Sequence, residues 1–538
     1  MVLRRAWLSA ALCALLAPSV GAQYDSAAPG SPGGGTRAGA PTPTPADPKD
    51  PGTLGRGQRS WEIVPTLSVE ETYTDNVRLR PAGSERGDWV TQVRPGVSVI
   101  GNGARARFTA TYAAGILYRA NEETREIHHF LDAKGDAELV RQLLYIDARA
   151  SVSQQNISLL GPQADSNVNA TGNRTTVRTF LVSPYLRRDF GSDAQGELRL
   201  TYSSVDTSAV TSSADSDSNR IDMRLASGPA FKLLTWNVAY SNERVKYASG
   251  QDIDTERIAA GARRLITPNL GLTANVGYED NNYITTGPPL DGAFWSVGPE
   301  WTPTPRTRLA ATAGRRFDQP NYSLDFSHRT RLTTWRVNYS EDVTTQRQQL
   351  LVPTNVDTAG YLDTLFLSRI PDPAARQQAV QAFITQTGLP PSLIVPLNFF
   401  TSTPFVLKRW QASFGIQGVR NTVLTNLFVE TREATAGGQP GAGDFAASPD
   451  AKQTGASLVW NLRLTANAAS NVSVGYTRNE FPGLSREDDL KFIRLSLTRQ
   501  FQPKVSGSLT YRRLENDSNQ PGAGYTENAV SASLSMRF

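Results

Sequence analysis

The chain has 538 residues, of which 39% are hydrophobic, with a formal net charge of +5 and a single cysteine. Beyond the first two dozen residues nothing approaches eighteen consecutive apolar side chains, which excludes a helical membrane protein. The basic excess is far below that of a nucleic-acid binder, and one cysteine excludes an intrachain disulfide or a thiolate metal cluster.

At the amino end, Arg4 and Arg5 precede an apolar run from Ala6 to Leu16, followed by Pro18 and then Val20, Gly21 and Ala22. A charged start, a short apolar stretch and a small-residue cleavage site describe a signal peptide over 1–22, cut after Ala22. The stretch is too short to span a membrane as a helix. Removing it leaves 53 basic against 50 acidic side chains, a net charge of +3. Residues 23–60 follow, rich in Pro and Gly and almost without aliphatic side chains. Such a segment cannot bury enough surface to offset its ordering entropy, so it reads as a disordered periplasmic tail.

From Trp61 to Phe538 one theme repeats. Leu270, Leu272, Ala274, Val276 and Tyr278 alternate with Gly271, Thr273, Asn275 and Gly277, and the same period of two recurs in segments of about nine to eleven residues along the chain. Tight connections at Gly101, Ile266, Asn467 and Phe501 are interleaved with long polar ones over 157–174, 281–292, 434–453 and 515–524. Short turns on one side and long loops on the other describe a transmembrane barrel meander, in which only alternate residues face lipid and mean hydropathy stays low.

The aromatic residues fall at two levels. Tyr202, Tyr240, Tyr278, Tyr339, Tyr476 and Tyr511 each end an apolar face just before a long loop, whereas Phe190, Trp301, Phe501 and Phe538 sit beside tight turns or the carboxy terminus. Eight to ten residues at roughly 2.4 Å of vertical rise separate the levels by about 25 Å, the height of a lipid-facing band with aromatic girdles. The intervening polar positions are the candidate lumen-lining set: Arg107, Asp147, Arg149, Glu197, Arg199, Arg220, Asp222, Arg224, Glu279, Arg336, Arg463 and Arg494.

One connection breaks the meander. Residues 342–405 form a long extracellular insertion, within which 373–386 reads as a helix, capped by Asp372, opened by Pro373 and stopped by Gly388. Val380, Phe383 and Ile384 share one of its faces and need a surface to pack against, so the insertion is expected either to plug the lumen or to cap the mouth. The last segment, Ala529 to Phe538, places Val530, Ala532, Leu534 and Met536 on one face and Ser531, Ser533, Ser535 and Arg537 on the other. It looks like the terminal strand that barrel-insertion machinery recognises in bacterial outer-membrane proteins.

The fold expected is therefore all-β: a transmembrane antiparallel up-and-down β-barrel of about 22 strands, within a range of 18–24, with both termini periplasmic and one helix in a long loop. Catalysis finds little support. The histidines are His128, His129 and His328, the first two pointing to opposite faces of one strand, and no nucleophile motif, phosphate loop or metal-spaced cluster accompanies them. Neither an enzyme nor a cofactor is expected.

The text L-S-V-E-E-T-Y-T-D-N-V from Leu67 to Val77 and V-T-Q-V-R-P-G-V-S-V from Val90 to Val99 resembles the outer-membrane β-barrel family associated with PEP-CTERM/exosortase systems, which belongs with porin-type barrels linked to exopolysaccharide. G-R-R-F at Gly314, the run from His328 to Asp342 and R-I-P-D-P at Arg369 are similar to it as well. The resemblance covers nearly all of 61–538 and its motifs are structural, so no functional residue is carried over. It implies a Gram-negative outer-membrane protein, a conduit or accessory component for exopolysaccharide export, with outer-membrane lipid, the barrel-insertion machinery, polysaccharide and periplasmic export components as partners. The alternatives are a general diffusion porin for small solutes and a closed structural or scaffold barrel. A receptor of the plugged 22-strand type would need a folded amino-terminal plug, for which residues 23–60 are unsuited.

Overall fold

The computed structural model describes residues 61–208, 214–286, 289–351, 358–367, 370, 376, 379–380, 383–384, 399–436 and 442–538. Its strands are β1 (Trp61–Thr74), β2 (Asp88–Asn102), β3 (Ala106–Arg119), β4 (Thr124–Val140), β5 (Leu144–Asn156), β6 (Arg174–Phe190), β7 (Ala194–Thr207) and β8 (Ser216–Ser227). They continue as β9 (Leu234–Tyr247), β10 (Ile253–Thr267), β11 (Leu270–Asn281), β12 (Gly292–Thr304), β13 (Thr307–Arg316), β14 (Gln319–Arg329) and β15 (Thr333–Thr344). After an insertion holding α1 (Gln346–Leu351) and α2 (Thr358–Phe366) come β16 (Phe405–Gln417), β17 (Asn421–Ala434), β18 (Asp450–Thr465), β19 (Ala468–Phe481), β20 (Arg486–Gln502), β21 (Val505–Ser518) and β22 (Tyr525–Arg537).

Every strand pairs antiparallel with its sequence neighbours, and β22 pairs with β1 from Thr66↔Arg537 to Thr74↔Ala529, closing a 22-stranded barrel. The all-β up-and-down barrel expected from the period of two is the fold found. Closure matters physically, because it leaves no strand edge with unpaired backbone groups. The terminal strand lies as its alternation implies: Val530 and Leu534 are 48% and 46% exposed on the outer surface, while Tyr525, Glu527 and Ala529 are buried inside.

Strand parity sorts the wall into two surfaces. Outward positions carry Val69, Leu200, Met223, Ile258, Val276, Leu497 and Leu509, all exposed, while inward neighbours such as Gln92, Ser203, Arg263, Glu300 and Asn461 are buried. An apolar exterior around a polar interior is the pattern of a membrane-spanning barrel, inverted relative to a soluble one. The chain is thus a transmembrane β-barrel.

The two rims differ. At the end holding Trp61 and Arg537 (the terminal end), connections run from two residues, as at 268–269, to six at 228–233. At the opposite end (the loop end) lie 157–173, 345–404 and 435–449. Several boundaries depart from those read in the sequence. β15 runs to Thr344 and β21 to Ser518, so the insertion is 345–404 and the last loop shortens to 519–524. Three loop-end connections have four residues or fewer: 120–123, 482–485, and the two-residue turn Phe317–Asp318, where both residues have positive φ (53° and 57°). A two-residue hairpin matched to strand twist needs that backbone, and it usually advertises itself with Asn or Gly. Neither is present here.

Within the insertion the helices α1 and α2 were not foreseen, because Thr358, Gly360 and Thr364 give α2 little helical propensity. Of the helix expected over 373–386, the described residues Arg376, Ala379, Val380, Phe383 and Ile384 are helical; Asp372, Pro373 and Gly388 lie outside the described residues.

Candidate functional site

The three long loop-end segments turn into the barrel and pack on its inner wall. Leu159 and Ala164 of 157–173, Phe399 of the insertion, and Ala442 and Phe445 of 435–449 form one buried cluster with Phe405, Ala451, Phe481, Leu490, Leu514 and Tyr525 of the wall. Phe399 and Phe445 meet edge to face with ring centres 4.7 Å apart. Burying rings of this size supplies the apolar area that holds the loops inside.

The insertion reaches furthest. Tyr361, Leu362, Leu365 and Phe366 of α2 pack with Val380, Phe383 and the inward Leu424 and Val459. Those two wall residues are register partners, and Leu424 also opposes Gly415, close to the 418–420 turn at the terminal end. The helix lies so near the wall that a Cβ on Gly415 would sit 2.9 Å from the Tyr361 ring. A side chain there would push α2 away, so glycine is the residue that admits the helix. Of the two placements considered for the insertion, its described part lies inside the barrel.

Polar contacts anchor these segments. Arg347 of α1 is 1% exposed. It donates to Ser216 Oγ at 3.0 Å and to the carbonyl and Oγ of Ser203, both at 2.8 Å. Glu527 is fully buried and accepts from Thr74 at 2.8 Å, Asn169 at 2.6 Å and Arg512 at 2.8 Å, joining β1, β21, β22 and the 157–173 loop. Arg119, also fully buried, donates to the carbonyls of Val168 at 3.1 Å and Asn167 at 3.0 Å. The insertion and the 157–173 loop touch directly, Phe400 N donating to Ile157 O at 2.9 Å. Asp444, on a short 3-10 turn, accepts from Ser158 Oγ and Leu159 N, both at 2.6 Å. Burial pushes its carboxyl above the usual aspartate range, and the two hydrogen bonds only partly oppose this.

The twelve residues expected to line the lumen occupy inward register positions, but only some come together. Arg199 donates to Asp147 at 2.8 Å and Glu197 at 3.1 Å, and its guanidinium lies 3.9 Å from the centre of the Tyr185 ring. Tyr185 in turn stacks on Tyr145 at 5.1 Å. Arg220 bonds Asp222 at 2.7 Å and Glu243 at 3.2 Å. Glu279 is held by Arg316 at 2.9 Å, Arg107 lies 3.9 Å from Asp136, and Arg494 pairs with Asp165 of the 157–173 loop. Arg149, Arg224, Arg336 and Arg463 have Leu181, Glu197, Ser413 and Ala469 as register partners, so Arg224 adjoins the Arg199 group.

Sequence reasoning missed the groups that bind the inward segments to the wall: Arg119, Arg347, Arg512 and Glu527. Glu527 had a signal, since the polar parity of the terminal strand carries two steps past Ser531 through Ala529 to it. Arg347 had none, because its partners Ser203 and Ser216 are more than 130 positions away.

The aromatic sets also lie on the outer surface. Phe190, Trp301, Phe501 and Phe538 are exposed towards the terminal end, and Tyr202, Tyr278 and Tyr476 are exposed towards the loop end. Tyr202, Tyr240, Tyr339, Tyr476 and Tyr511 donate their hydroxyls to Asp217 (2.8 Å), Glu256 (2.9 Å), Glu341 (2.5 Å), Asp489 (2.7 Å) and Asn528 (3.0 Å). An apolar ring with a satisfied polar tip suits the boundary between hydrocarbon and water. The histidines are engaged singly: His128 with Glu126 inside, and His129 with Tyr112 and His328 with Thr307 outside.

No protein-family model matches the chain, and no curated protein matches its sequence. Among solved structures it is similar to the siderophore receptor PirA of Pseudomonas aeruginosa, with 10% identity and a TM-score of 0.44 over 88% of this chain and 80% of that one. It is also similar to the ferric enterobactin receptor PfeA of that organism, with 10% identity and a TM-score of 0.45 over 89% and 81% of the two chains. The outer membrane protein OpdK, again from P. aeruginosa, matches with 10% identity and a TM-score of 0.35 over 89% of this chain and 99% of that one. Likenesses this distant say nothing of cargo.

Proposed function

We propose that the chain is a non-enzymatic outer-membrane barrel whose inward insertion gates a polar conduit, and that the conduit serves export of an extracellular polysaccharide. One observation carries the gating: α2 and the helical residues after it pack on Leu424 and Val459, deep inside the barrel rather than over its mouth. A 22-strand barrel encloses more space than its own side chains fill. Here that space holds a segment whose described residues meet the wall through buried contacts of α1 and α2, an arrangement suited to an opening that is conditional. An inward segment is also compatible with the constriction of a diffusion porin, and the conductance measurement below separates the two readings.

Two features support the polysaccharide. One is the resemblance of the chain to exopolysaccharide-linked barrels. The other is a set of hydrogen-bonding inner side chains, Ser413, Asn426, Asn461, Asn471 and Ser473, all buried and inward, with Arg336 and Arg494 opposite the two serines. Hydroxyl-rich chains are recognised by amides and hydroxyls at little electrostatic cost. In this reading residues 1–22 direct export from the cytoplasm, 23–60 tether periplasmic partners, both termini are periplasmic and the loop end faces the medium.

The test is deletion of the gene, with surface polysaccharide and small-solute permeability measured together. Loss of polysaccharide at unchanged permeability is expected; unchanged polysaccharide refutes the export role. Planar-bilayer conductance of the purified chain separates the gate from a scaffold. Removing 345–404 is expected to convert a closed barrel to a conducting one, and no gain in conductance would refute the gate.

A further inference from the structure

The lipid-facing surface is interrupted on one side by a groove of about 560 Å³ across β12–β16, within the size range of small-molecule sites. Its bed is made by small outward residues, Pro299, Ala311 and Ala313, and its walls by Tyr322, Tyr339 and Trp410. The cause is local. The β12–β13 ladder passes from Val297↔Ala313 to Glu300↔Ala310, leaving Gly298 and Pro299 outside the pairing. Proline has no N–H to give the ladder, and a Cβ on Gly298 would fall 1.7 Å from Ala311 O, so the strands meet where only glycine fits.

Directly above the bed stands Arg315, outward and exposed, two residues from Ala313 towards the loop end, or about 6–7 Å along the strand. Its register neighbours on the flanking strands are Trp295 and Pro320, neither of them charged. Three other outward arginines near this rim have a carboxylate beside them: Arg178 with Asp206 at 2.6 Å, Arg244 with Asp254 at 2.5 Å and Arg478 with Asp489 at 2.7 Å. Arg315 stands level with the exposed Trp295, at the height where an aromatic belt meets lipid headgroups.

We propose that this groove is a binding site for one phosphate-bearing lipid of the loop-end leaflet, an acyl chain lying over Ala311 and Ala313 and the phosphate paired with Arg315. The occupant follows from the two halves of the site. A groove open to hydrocarbon takes an alkyl chain, and an arginine without a carboxylate in its register pairs takes an anionic oxygen, for which the guanidinium fork is well shaped. A neutral lipid would fill the groove but leave Arg315 unanswered.

The test uses the full chain, purified and stripped of lipid, with dimyristoyl phosphatidylglycerol or the phosphate-free dimyristoylglycerol added and the retained lipids counted by native mass spectrometry. One phosphatidylglycerol is expected to be retained at least tenfold more tightly than dimyristoylglycerol. Arg315→Gln should abolish that preference while leaving dimyristoylglycerol unchanged, and Ala311→Phe should weaken both. Arg244→Gln, which removes an arginine that already has a carboxylate partner, should leave the preference intact. Heat-modifiable gel mobility checks that each variant is folded. Equal retention of the two lipids by the unaltered chain, or an Arg315→Gln variant that keeps the preference, overturns the proposal.

Discussion

At the terminal end, neighbouring strands are joined by two to six residues, and each connection is decided by the few side chains within it. At the loop end, 157–173, 345–404 and 435–449 leave the wall, turn inside and pack on residues hundreds of positions away, as Ser158 does on Asp444 across 286 positions. The first end is built from local turn chemistry and keeps its shape strand by strand. The second is a small folded core inside the barrel, stabilised by Phe399, Phe405 and Phe445 and by buried ions. Under the proposed gating, this core would loosen while the wall stays intact.

Glu527→Ala should break that comparison most severely. It leaves the buried Arg512 guanidinium without its carboxylate, at a cost of about 3–5 kcal/mol. The 157–173 loop should become sensitive to limited proteolysis. Adding Arg512→Met should recover much of the loss, and a double variant as sensitive as the single one would show that charge burial is not the cause. Next comes an attack on the wall alone. Leu534→Arg puts a cation on the lipid face of the closing strand, with an expected loss of about 2–4 kcal/mol in urea unfolding from vesicles and no selective loosening of the inward loops.

A smaller effect should come from pH at the loop end. The Asp444 carboxyl is held above its usual range by burial in the docked loops. Docking is therefore favoured while the group is protonated, and that advantage is lost as pH rises through the raised value. Hydrogen exchange of 442–448, corrected for intrinsic rate, should be slower at pH 4 than at pH 8, and Asp444→Asn should flatten the difference. The least effect is expected for Arg478→Gln, which removes an exposed pair with Asp489 on the outer surface. Its small destabilisation should vanish in high salt.

The wall was legible in the sequence because it follows a period of two. Knowing that Trp301 or Leu534 faces out assigns Glu300 and Ser533 inward without further information. The interior was not, because its contacts obey no period. Arg347 on α1 and Tyr361 against Gly415 are meetings of distant segments, set by which loops have enough apolar surface to leave water. The Phe317–Asp318 turn was missed for the opposite reason, since its residues are poor indicators of a backbone they nonetheless adopt.

The junction of β1 and β22 has a consequence for chain connectivity. Phe538 N donates to Pro65 O at 3.0 Å, so the first and last strands end side by side. The position of the break between them is then incidental to the wall. A permuted chain, with Phe538 linked to Trp61 and new ends opened at a terminal-end turn such as 268–269, would offer the same cyclic order of strands and leave the inward segments uncut. Its assembly would finish on a different strand, which separates what the barrel needs to be stable from what the cell needs in order to insert it.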